Sequence, residues 1–338
     1  MIHLITGGAG FIGSHLADAL AERDDEVVIL DDLSTGRFEN IQHLIDAERA
    51  QLIEGSVLDA TLVNELMAQA DSCFHLASPV GVKLICSQPL DSILNMVRGT
   101  DVVMASAALY RTRLVFTSTS EIYGKNGGEA LHEDSDRVVG PPTKSRWSYA
   151  TAKVFGEILA HGYTHAEGAR MTVGRLFNTV GPRQSDAYGM VLPRFVRQAL
   201  DGADLTVYGD GTQSRCFTHV HDTIDALASL AESDHAVGEV FNIGDEEPIS
   251  IVALAQRVRE RAGSHSPIRF VPYAEAYGEG FEELGRRRPD CRRVRKLTGW
   301  RPRRSVDDAI DDVIAYERRE WRKPGADARG LARGVPSV

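Results

Sequence analysis

The sequence predicts an α/β fold, a doubly wound parallel sheet with a smaller, interleaved C-terminal lobe. Three observations indicate it. Short β-rich segments alternate with helical stretches, a glycine-rich turn follows the first segment, and the alternation loosens into Gly/Pro-punctuated segments after Asn178. Strands that alternate with helices favour a parallel sheet, because each helix crosses over one face of it. With 338 residues, 43% of them hydrophobic, the chain can bury a full core.

Five short β-rich segments are the predicted strands. They cover residues 2–5, 27–30, 73–76, 114–116 and 171–173. Helical periodicity predicts helices over residues 14–23, 90–110, 192–200 and 249–262. A strand at 240–243 and a helix that starts near His221 are expected to return to the main sheet, which would interleave the two lobes.

The first strand runs into a glycine-rich turn, residues 6–13 (TGGAGFIG), and then into a predicted helix. Gly7, Gly10 and Gly13 allow a tight turn in which a pyrophosphate can approach backbone N–H groups at the start of the helix. The second strand ends at Asp31, where a carboxylate can accept hydrogen bonds from an adenosine ribose and repel a 2′-phosphate. This order predicts a Rossmann-type site for NAD.

Tyr149 and Lys153 form a Tyr-x-x-x-Lys pair, which lies on one face of a helix. A lysine cation and an oxidised nicotinamide stabilise phenolate, so the tyrosine can take a proton from an alcohol while hydride leaves to NAD. The pair follows by about thirty residues the segment 117–121 (TSTSE), at the end of a predicted strand. Substrates bind at the carboxyl ends of strands in this type of sheet. Together these residues predict oxidation of an alcohol.

The predicted NAD site combines the glycine turn, the segments that follow the second and third predicted strands, and the Tyr/Lys pair. Its expected contacts are Gly7, Gly10, Phe11, Ile12, Gly13, Asp31, Asp32, Ser34, Thr35, Gly36, Leu76, Ala77, Ser78, Tyr149 and Lys153. Arg37, six residues beyond Asp31, leaves NADP open as an alternative.

These motifs resemble the extended short-chain dehydrogenase/reductase family of nucleotide-sugar epimerases, dehydratases and decarboxylases. The resemblance extends to about residue 320 and includes residues 177–183 (FNTVGPR) and 208–211 (YGDG). It implies an enzyme that binds NAD and a nucleotide-linked sugar. One departure is Ser56, where family members often carry an aspartate that touches the adenine.

The resemblance also implies roles for individual residues. The expected catalytic residues are Thr119, Ser120, Glu121, Tyr149, Lys153 and Arg215. The expected substrate contacts are Pro79, Arg146, Asn178, Arg183, Tyr208, Arg215 and Tyr277. Asn178 would contact the nucleotide diphosphate. Arg215 would hold the sugar carboxylate or protonate near C5, with a phosphate clamp as an equal alternative.

The expected domain division follows from the same motifs. Residues 1–177 would form the NAD-binding domain, with 215–245 returning to it. Residues 178–214 and 246–320 would form the nucleotide-sugar-binding lobe. Residues 321–338 are rich in Arg, Gly, Ala and Pro without periodicity and are predicted to be a disordered tail.

Residues 119–124 (TSEIYG) favour one reaction within this family. By the resemblance, epimerases usually carry small uncharged residues at positions 120 and 121. The 4,6-dehydratases carry an Asp-Glu pair, and Ser120 cannot readily replace its acid. Thr-Ser-Glu resembles the UDP-glucuronate decarboxylases, both the UDP-xylose synthases and the decarboxylase of the 4-amino-arabinose pathway. Residues 140–147 and 277–281 are similar to the latter, whereas 80–83 resemble epimerases.

The implied reaction is the NAD-dependent oxidative decarboxylation of UDP-glucuronate, through a 4-ketone, to UDP-xylose or UDP-4-keto-pentose. Three alternatives stay open: a 4-epimerase of UDP-glucuronate or a UDP-hexose, a UDP-hexose dehydratase, and an NAD-sensing regulator without turnover. The trio of Thr119, Tyr149 and Lys153 argues against the regulator, which has no need of it.

Composition predicts a cytoplasmic protein without nucleic-acid or membrane partners. The net charge of −10 disfavours anionic surfaces, and the arginines of 286–304 are interpreted as mostly solvated surface beside a phosphate site. No apolar run approaches the ~20 residues of a membrane span, and the chain starts without a leader. No metal is expected, because the histidines lack companions at ligand spacing and the cysteines are widely spaced, at Cys73, Cys86, Cys216 and Cys291.

The family resemblance implies a homodimer formed through a four-helix bundle. Each subunit would contribute the helix that carries Tyr149 and the helix over 90–110. The expected apolar contacts are Val97, Val103, Met104, Ile158 and Leu159.

Overall fold

The computed structural model of the chain describes residues 1–79, 89–144, 146–186, 190–277 and 286–321. Its strands are β1 (Ile2–Thr6), β2 (Glu26–Asp31), β3 (Ala50–Glu54), β4 (Ser72–His75), β5 (Arg113–Thr119), β6 (Met171–Leu176), β7 (Thr179–Val180), β8 (Leu205–Tyr208), β9 (Ser214–Cys216), β10 (Thr218–His219), β11 (Val240–Ile243), β12 (Pro248–Ser250), β13 (Ile268–Val271) and β14 (Arg286–Arg287). Its α-helices are α1 (Phe11–Ala21), α2 (Gln42–Asp46), α3 (Ala60–Met67), α4 (Pro89–Tyr110), α5 (Arg146–Glu167), α6 (Val191–Leu200), α7 (Val220–Glu232), α8 (Ile251–Arg261), α9 (Tyr273–Tyr277), α10 (Arg292–Thr298) and α11 (Val306–Trp321).

The central sheet has seven strands in the order β11-β6-β5-β4-β1-β2-β3, and all neighbours are parallel. The chain starts in the middle at β1, builds one edge through β2 and β3, and then crosses to β4 to build the other. The strand order therefore reverses between β1 and β4, which is where this fold binds ligands. The predicted doubly wound, Rossmann-type parallel sheet is confirmed.

The edge strand β3 is missing from the sequence-based prediction. Its residues are either half-buried or exposed, because the strand lies at the edge of the sheet. Such a strand lacks the continuous apolar run that marks the central strands. At the opposite edge, β11 pairs with Val173–Leu176 of β6 after the crossover through α7, so the chain does return to the main sheet there.

Helices cover both faces of the sheet. On one face, α1 and α7 pack over side chains such as Leu16, Ile29 and Leu227. On the other, α3, α4 and α5 enclose a second core that includes Val103 and Met104. Both of these side chains are fully buried, so the expectation that they supply dimer contacts is wrong. The helical period turns them toward the sheet instead.

The remaining elements form a separate core around α6, α8 and α11. Phe195, Leu254 and Ile310 are fully buried there. The small sheets β12-β9-β14 and β13-β8 adjoin this core. Within the first of them, β14 runs parallel to β9 and places Arg287 opposite Arg215.

The cysteines, the helix lengths and the C-terminal segment are the features on which expectations were drawn from composition. Among the described residues, Cys73, Cys216 and Cys291 are free and buried, and Cys86 lies outside the described ranges. The helices that the structure describes include none that is both long enough and apolar enough to cross a membrane. The predicted tail beyond Trp321 also lies outside the described residues.

Candidate active site

One continuous cavity of about 640 Å³ opens at the carboxyl ends of the central strands. Its lining comes from the loops after β1, β2, β4 and β5, from α5, and from the segments around β7, β9 and β14. The predicted site residues that it brings together are Gly7, Gly10, Phe11, Ile12, Gly13, Asp31, Asp32, Ser34, Thr35, Gly36, Leu76, Ala77, Ser78, Pro79, Thr119, Ser120, Glu121, Tyr149, Lys153, Asn178, Arg183, Tyr208 and Arg215. The cavity is therefore shared by the predicted cofactor and substrate residues.

The glycine turn is closed so tightly that side chains do not fit. Gly7 has a φ of 74°, in the left-handed region that favours glycine. A Cβ on Gly13 would lie 2.3 Å from the Gly7 carbonyl oxygen and 2.7 Å from Gly8 Cα. This contact lets α1 begin directly against the end of β1. The N-terminus of α1, with its backbone N–H groups, consequently faces the cavity and fits a pyrophosphate.

Asp31 lies at the end of β2 with only 7% of its surface exposed. Its carboxylate accepts hydrogen bonds from the backbone N–H groups of Ala9 (2.9 Å) and Leu33 (2.9 Å). Burial raises the pKa of Asp31, while these two donors favour the charged form. A Cβ on Gly36 would lie 2.7 Å from the carboxylate, so glycine keeps the space beside it open. The arrangement fits an adenosine ribose diol.

Tyr149, Lys153 and Thr119 meet where α5 packs against β5. Lys153 is 5% exposed and donates a hydrogen bond from Nζ to the Thr117 carbonyl oxygen at 2.9 Å. Burial lowers the pKa of Lys153 to about 8, and the charge of Glu157 opposes that shift. Burial raises the pKa of Tyr149, with a further contribution from Glu121, whereas its hydrogen bond with Thr119 acts in the opposite direction.

Arg287 is a site residue that the sequence-based prediction missed. Its guanidinium forms an ion pair with Glu121 through Nη1 and lies 3.4 Å from Ser120 Oγ. The side chain is 7% exposed and lines the cavity. Its Nε is buried and has no hydrogen-bond partner among the described residues. A donor is thus left available for a ligand.

The arginines of 286–304 that the structure describes are mostly exposed or partly exposed, which agrees with their interpretation as surface residues, and buried Arg287 is the exception. Besides Arg287, several of them are held by acids from distant segments. The pairs are Arg293 with Asp134 (2.6 Å), Arg295 with Glu246 (2.6 Å) and Arg304 with Asp222 (2.7 Å). The pattern of basic residues could not reveal these partners, because they are far away in the sequence.

Three other predicted substrate residues, Asn178, Arg183 and Arg215, line the cavity and are held by contacts within the protein. Asn178 has a φ of 35° and donates from Nδ2 to the Cys216 carbonyl oxygen at 2.9 Å, which fixes it at the cavity wall. Arg183 pairs with Asp18 of α1 at 2.8 Å. Arg215 is 7% exposed and donates to the Ser214 carbonyl oxygen at 2.7 Å.

Two predicted substrate residues cannot be placed in the site. The side chains of Arg146 and Tyr277, and the segments 80–83 and 278–281, lie outside the described residues. His75 is buried on β4 and its ring contacts the Thr6 and Thr100 hydroxyls. No group of three or more metal-ligating side chains occurs within the ranges that the structure describes.

The sequence from residue 3 to residue 244 matches the model of the NAD dependent epimerase/dehydratase family. The chain belongs to this family. NAD is accordingly its cofactor, which agrees with the glycine turn and with Asp31. Bound NAD supplies the acceptor and donor of hydride, and the residues that would hold it are those of the turn, the β2 end and the Tyr149/Lys153 pair.

Similarity to individual proteins extends over most of the chain. It is 40% identical over 317 residues to a UDP-N-acetyl-alpha-D-glucosaminuronate decarboxylase of Bacillus cytotoxicus, covering 93% of this chain and 97% of that protein. It is 36% identical to UDP-glucuronic acid decarboxylase 1 of Danio rerio, over 94% of this chain and 72% of that protein. The crystal structure of UDP-glucuronic acid 4-epimerase from Bacillus cereus, in complex with UDP-glucuronic acid and NAD, superposes with a TM-score of 0.85 at 28% identity, covering 94% and 99% of the two chains.

Proposed function

We propose that this family member catalyses the oxidative decarboxylation of UDP-glucuronate through a 4-keto intermediate. The observation that carries the proposal is the cluster of Ser120, Glu121 and Arg287 beside Tyr149. An oxidation at C4 needs only the Tyr149, Lys153 and Thr119 machinery. The buried arginine next to it supplies a cation for a substrate carboxylate. The two named decarboxylases among the relatives support the same reading.

The first step belongs to Tyr149. As phenolate it takes the proton of the C4 hydroxyl. Thr119, which is hydrogen-bonded to Tyr149, lies within reach of the same C4 oxygen. The Lys153 ammonium is fixed by its hydrogen bond to the Thr117 carbonyl, and its positive charge stabilises the phenolate. With bound NAD as the hydride acceptor, the substrate would become a ketone at C4, in the β position to the C6 carboxylate.

The second step breaks the C5–C6 bond. Carbon dioxide leaves, and the bonding electrons move into an enolate whose oxygen is the former C4 hydroxyl. The protonated Tyr149 and Thr119 donate to that oxygen. We assign to Arg287 the place beside C5 and C6 that was one of two equal alternatives for Arg215, because Arg287 contacts Ser120 and Glu121 among the described residues. C5 would then take up a proton from solvent. With hydride returned to C4 by bound NAD the product would be UDP-xylose, whereas earlier release would give UDP-4-keto-pentose.

A second substrate candidate differs only at C2. UDP-N-acetylglucosaminuronate has the same C4 hydroxyl and C6 carboxylate, so the same residues would act on it. The 40% identical relative that bears this name favours including it. The nucleotide end of either substrate would lie against Asn178, Tyr208 and Arg215, with Arg183 and Pro79 nearer the cofactor.

We also propose the homodimer and the domain division that the sequence predicts. The α4–α5 surface supports the dimer, because the packed helix pair exposes the apolar side chains of Leu109 (68%), Phe155 (39%) and Ile158 (58%), the last two three residues apart on one face of α5. Neighbouring exposed apolar side chains of this kind are typical of an interface. A cytoplasmic location stays a prediction from composition.

The test is incubation of the purified protein with NAD and each of the two UDP-hexuronates, followed by mass spectrometry and NMR. A product lighter by about 44 Da indicates decarboxylation with hydride returned, and one lighter by about 46 Da indicates release of the ketone. Unchanged mass with inverted C4 would make the protein an epimerase, and loss of water from a UDP-hexose would make it a dehydratase. Tyr149→Phe should abolish every one of these conversions.

A further inference from the structure

A buried carboxylate lies one helical turn beyond Lys153, on the side away from the cavity. Glu157 is 7% exposed and accepts two hydrogen bonds from Arg175 of β6, from Nε at 3.0 Å and from Nη2 at 2.7 Å. It also accepts a hydrogen bond from Ser118 Oγ of β5. Ser118 and Arg175 are register partners on neighbouring strands, so one carboxylate joins α5 to both.

Arg175 is itself fixed by further contacts. Its Nη1 donates to the Tyr123 hydroxyl at 2.8 Å and to the Glu133 carbonyl oxygen at 2.7 Å. The Tyr123 hydroxyl in turn donates to Asn242 Oδ1 of β11 at 2.7 Å. The guanidinium therefore makes four hydrogen bonds to three residues, and its position is set before any ligand binds.

We propose that Glu157, clamped by Arg175, is a positioning residue for the oxidation step, which keeps the Lys153 side chain in place and in its cationic form. Tyr149, Lys153 and Glu157 follow one another at intervals of four and share a face of α5. Each of the three has a partner on β5: Tyr149 bonds with Thr119, Lys153 with the Thr117 carbonyl, and Glu157 with Ser118. Neither Glu157 nor Arg175 lines the cavity, so neither touches substrate or cofactor. The inference deepens the proposed function and rests on its oxidation step.

Several groups face Lys153 from the elements packed around it. His75 faces it from β4. Burial and the charge of Lys153 lower the pKa of His75 to about 3, so His75 contributes no negative charge. From β5 come the Phe116 ring at 4.9 Å and the Thr117 carbonyl. From α5 itself come neutral Tyr149 and anionic Glu157. Glu157 is thus the acid that opposes the loss of the Lys153 proton on burial.

The direct test is an NMR titration of Lys153 in the apoprotein. The chain has only six lysines, so protein labelled with ¹³C at lysine Cε gives few signals, and Lys153→Met assigns the one of interest. The wild-type signal should titrate near pH 8. In Glu157→Gln it should titrate lower by about one pH unit, because the opposing negative charge is gone. An unchanged titration would overturn the proposal.

A matched control separates this effect from the loss of any buried ion pair. Glu317 of α11 is 6% exposed and accepts two hydrogen bonds from Arg197 of α6, at 3.0 and 3.1 Å. Both residues belong to helices of the separate core around α6, α8 and α11. Glu317→Gln should lower the melting temperature without moving the Lys153 titration. Glu157→Asp keeps the charge and should restore the wild-type titration, and it serves as the test variant if Glu157→Gln does not fold. A shifted titration in Glu157→Asp would contradict the proposal.

The kinetic readout uses whichever UDP-sugar the wild-type protein oxidises, so failure of the decarboxylase proposal does not affect it. In Glu157→Gln the alkaline limb of kcat against pH should move to lower pH by the same amount as the Lys153 titration, with KM unchanged. A uniform loss of kcat at every pH would point to a purely structural role and reject the inference.

Discussion

At the scale of single residues, the site combines two sets of charges with different tasks. Lys153 and Tyr149 belong to the oxidation, and both owe their altered pKa first to burial. Arg287 and Glu121 form a separate pair directly beside them. Because the two sets are adjacent yet distinct, substitutions should affect oxidation and decarboxylation separately.

Arg287→Gln tests the second set. It should lower the rate of decarboxylation with C5 protonation by roughly 100-fold or more, because the guanidinium that orients the C6 carboxylate and lies beside C5 is lost. Oxidation of C4 should persist, visible as the absorbance of the reduced nicotinamide under single-turnover conditions. Arg288→Gln is the matched control, since the neighbouring arginine is exposed and donates from Nε to the Glu246 carbonyl oxygen. Equal loss of both steps in Arg287→Gln would reject this division of labour.

Asp31→Asn tests the cofactor assignment. The amide keeps the shape of the carboxylate but loses its charge and one acceptor for the ribose diol. We expect NAD affinity to fall about tenfold, the equivalent of one charged hydrogen bond. The affinity for NADP relative to NAD should rise, because the repulsion of a 2′-phosphate disappears. Calorimetric titration with both dinucleotides measures the ratio, and an unchanged ratio would argue against the role of Asp31.

At the scale of elements, β1 and α1 depend on a contact that only glycine allows. Gly13→Ala would place a methyl group 2.3 Å from the Gly7 carbonyl oxygen, so the helix must move. We expect a loss of at least about 2 kcal/mol in the free energy of unfolding and loss of NAD binding. In Gly162→Ala, within α5, the added Cβ meets no atom within 4 Å. That variant should match or exceed wild-type stability in a urea titration, by up to about 1 kcal/mol.

Elements differ in how far their sequences reveal them. The five central strands were predicted from apolar runs, and each of them extends further in the structure than in the prediction at one end or both. The edge strand β3 was missed because two of its five residues are exposed and the other three are only half-buried. The helix α4 was predicted over almost its full length, but its inward face was not, since a 22-residue helix packs against both a sheet and a neighbouring helix.

At the scale of the whole molecule, the exposed apolar side chains on α4 and α5 predict self-association. Ile158→Asp should convert the proposed dimer to monomers in sedimentation velocity, because a charge would be buried without a partner. Phe270→Asp provides the comparison, since Phe270 is similarly exposed (53%) on β13. It should leave the dimer intact. A wild-type protein that sediments as a monomer would reject the dimer itself.

Buried histidines predict that the protein loses stability in acid. Burial lowers the pKa of His75 to about 3, whereas an unfolded histidine titrates near its ordinary value of 6.5. Between these values the unfolded chain binds the additional proton, so stability is complete above about pH 6.5 and falls as the pH decreases. His75→Gln should reduce this slope by about 1.4 kcal/mol per pH unit in urea titrations.

The sequence by itself determined the parts of this protein that are local in the chain. The glycine turn with Asp31 and the Tyr149/Lys153 spacing predicted the fold, the cofactor and the oxidation, because each motif depends on backbone geometry over a few residues. Only the tertiary structure decided which arginine joins Glu121. Arg287 reaches it across 166 residues through the pairing of β14 with β9, and no local pattern distinguishes it from the paired arginines that follow. The clamp on Glu157 is hidden for the same reason: its members lie on α5, β5 and β6, which are brought together only by the order of the strands.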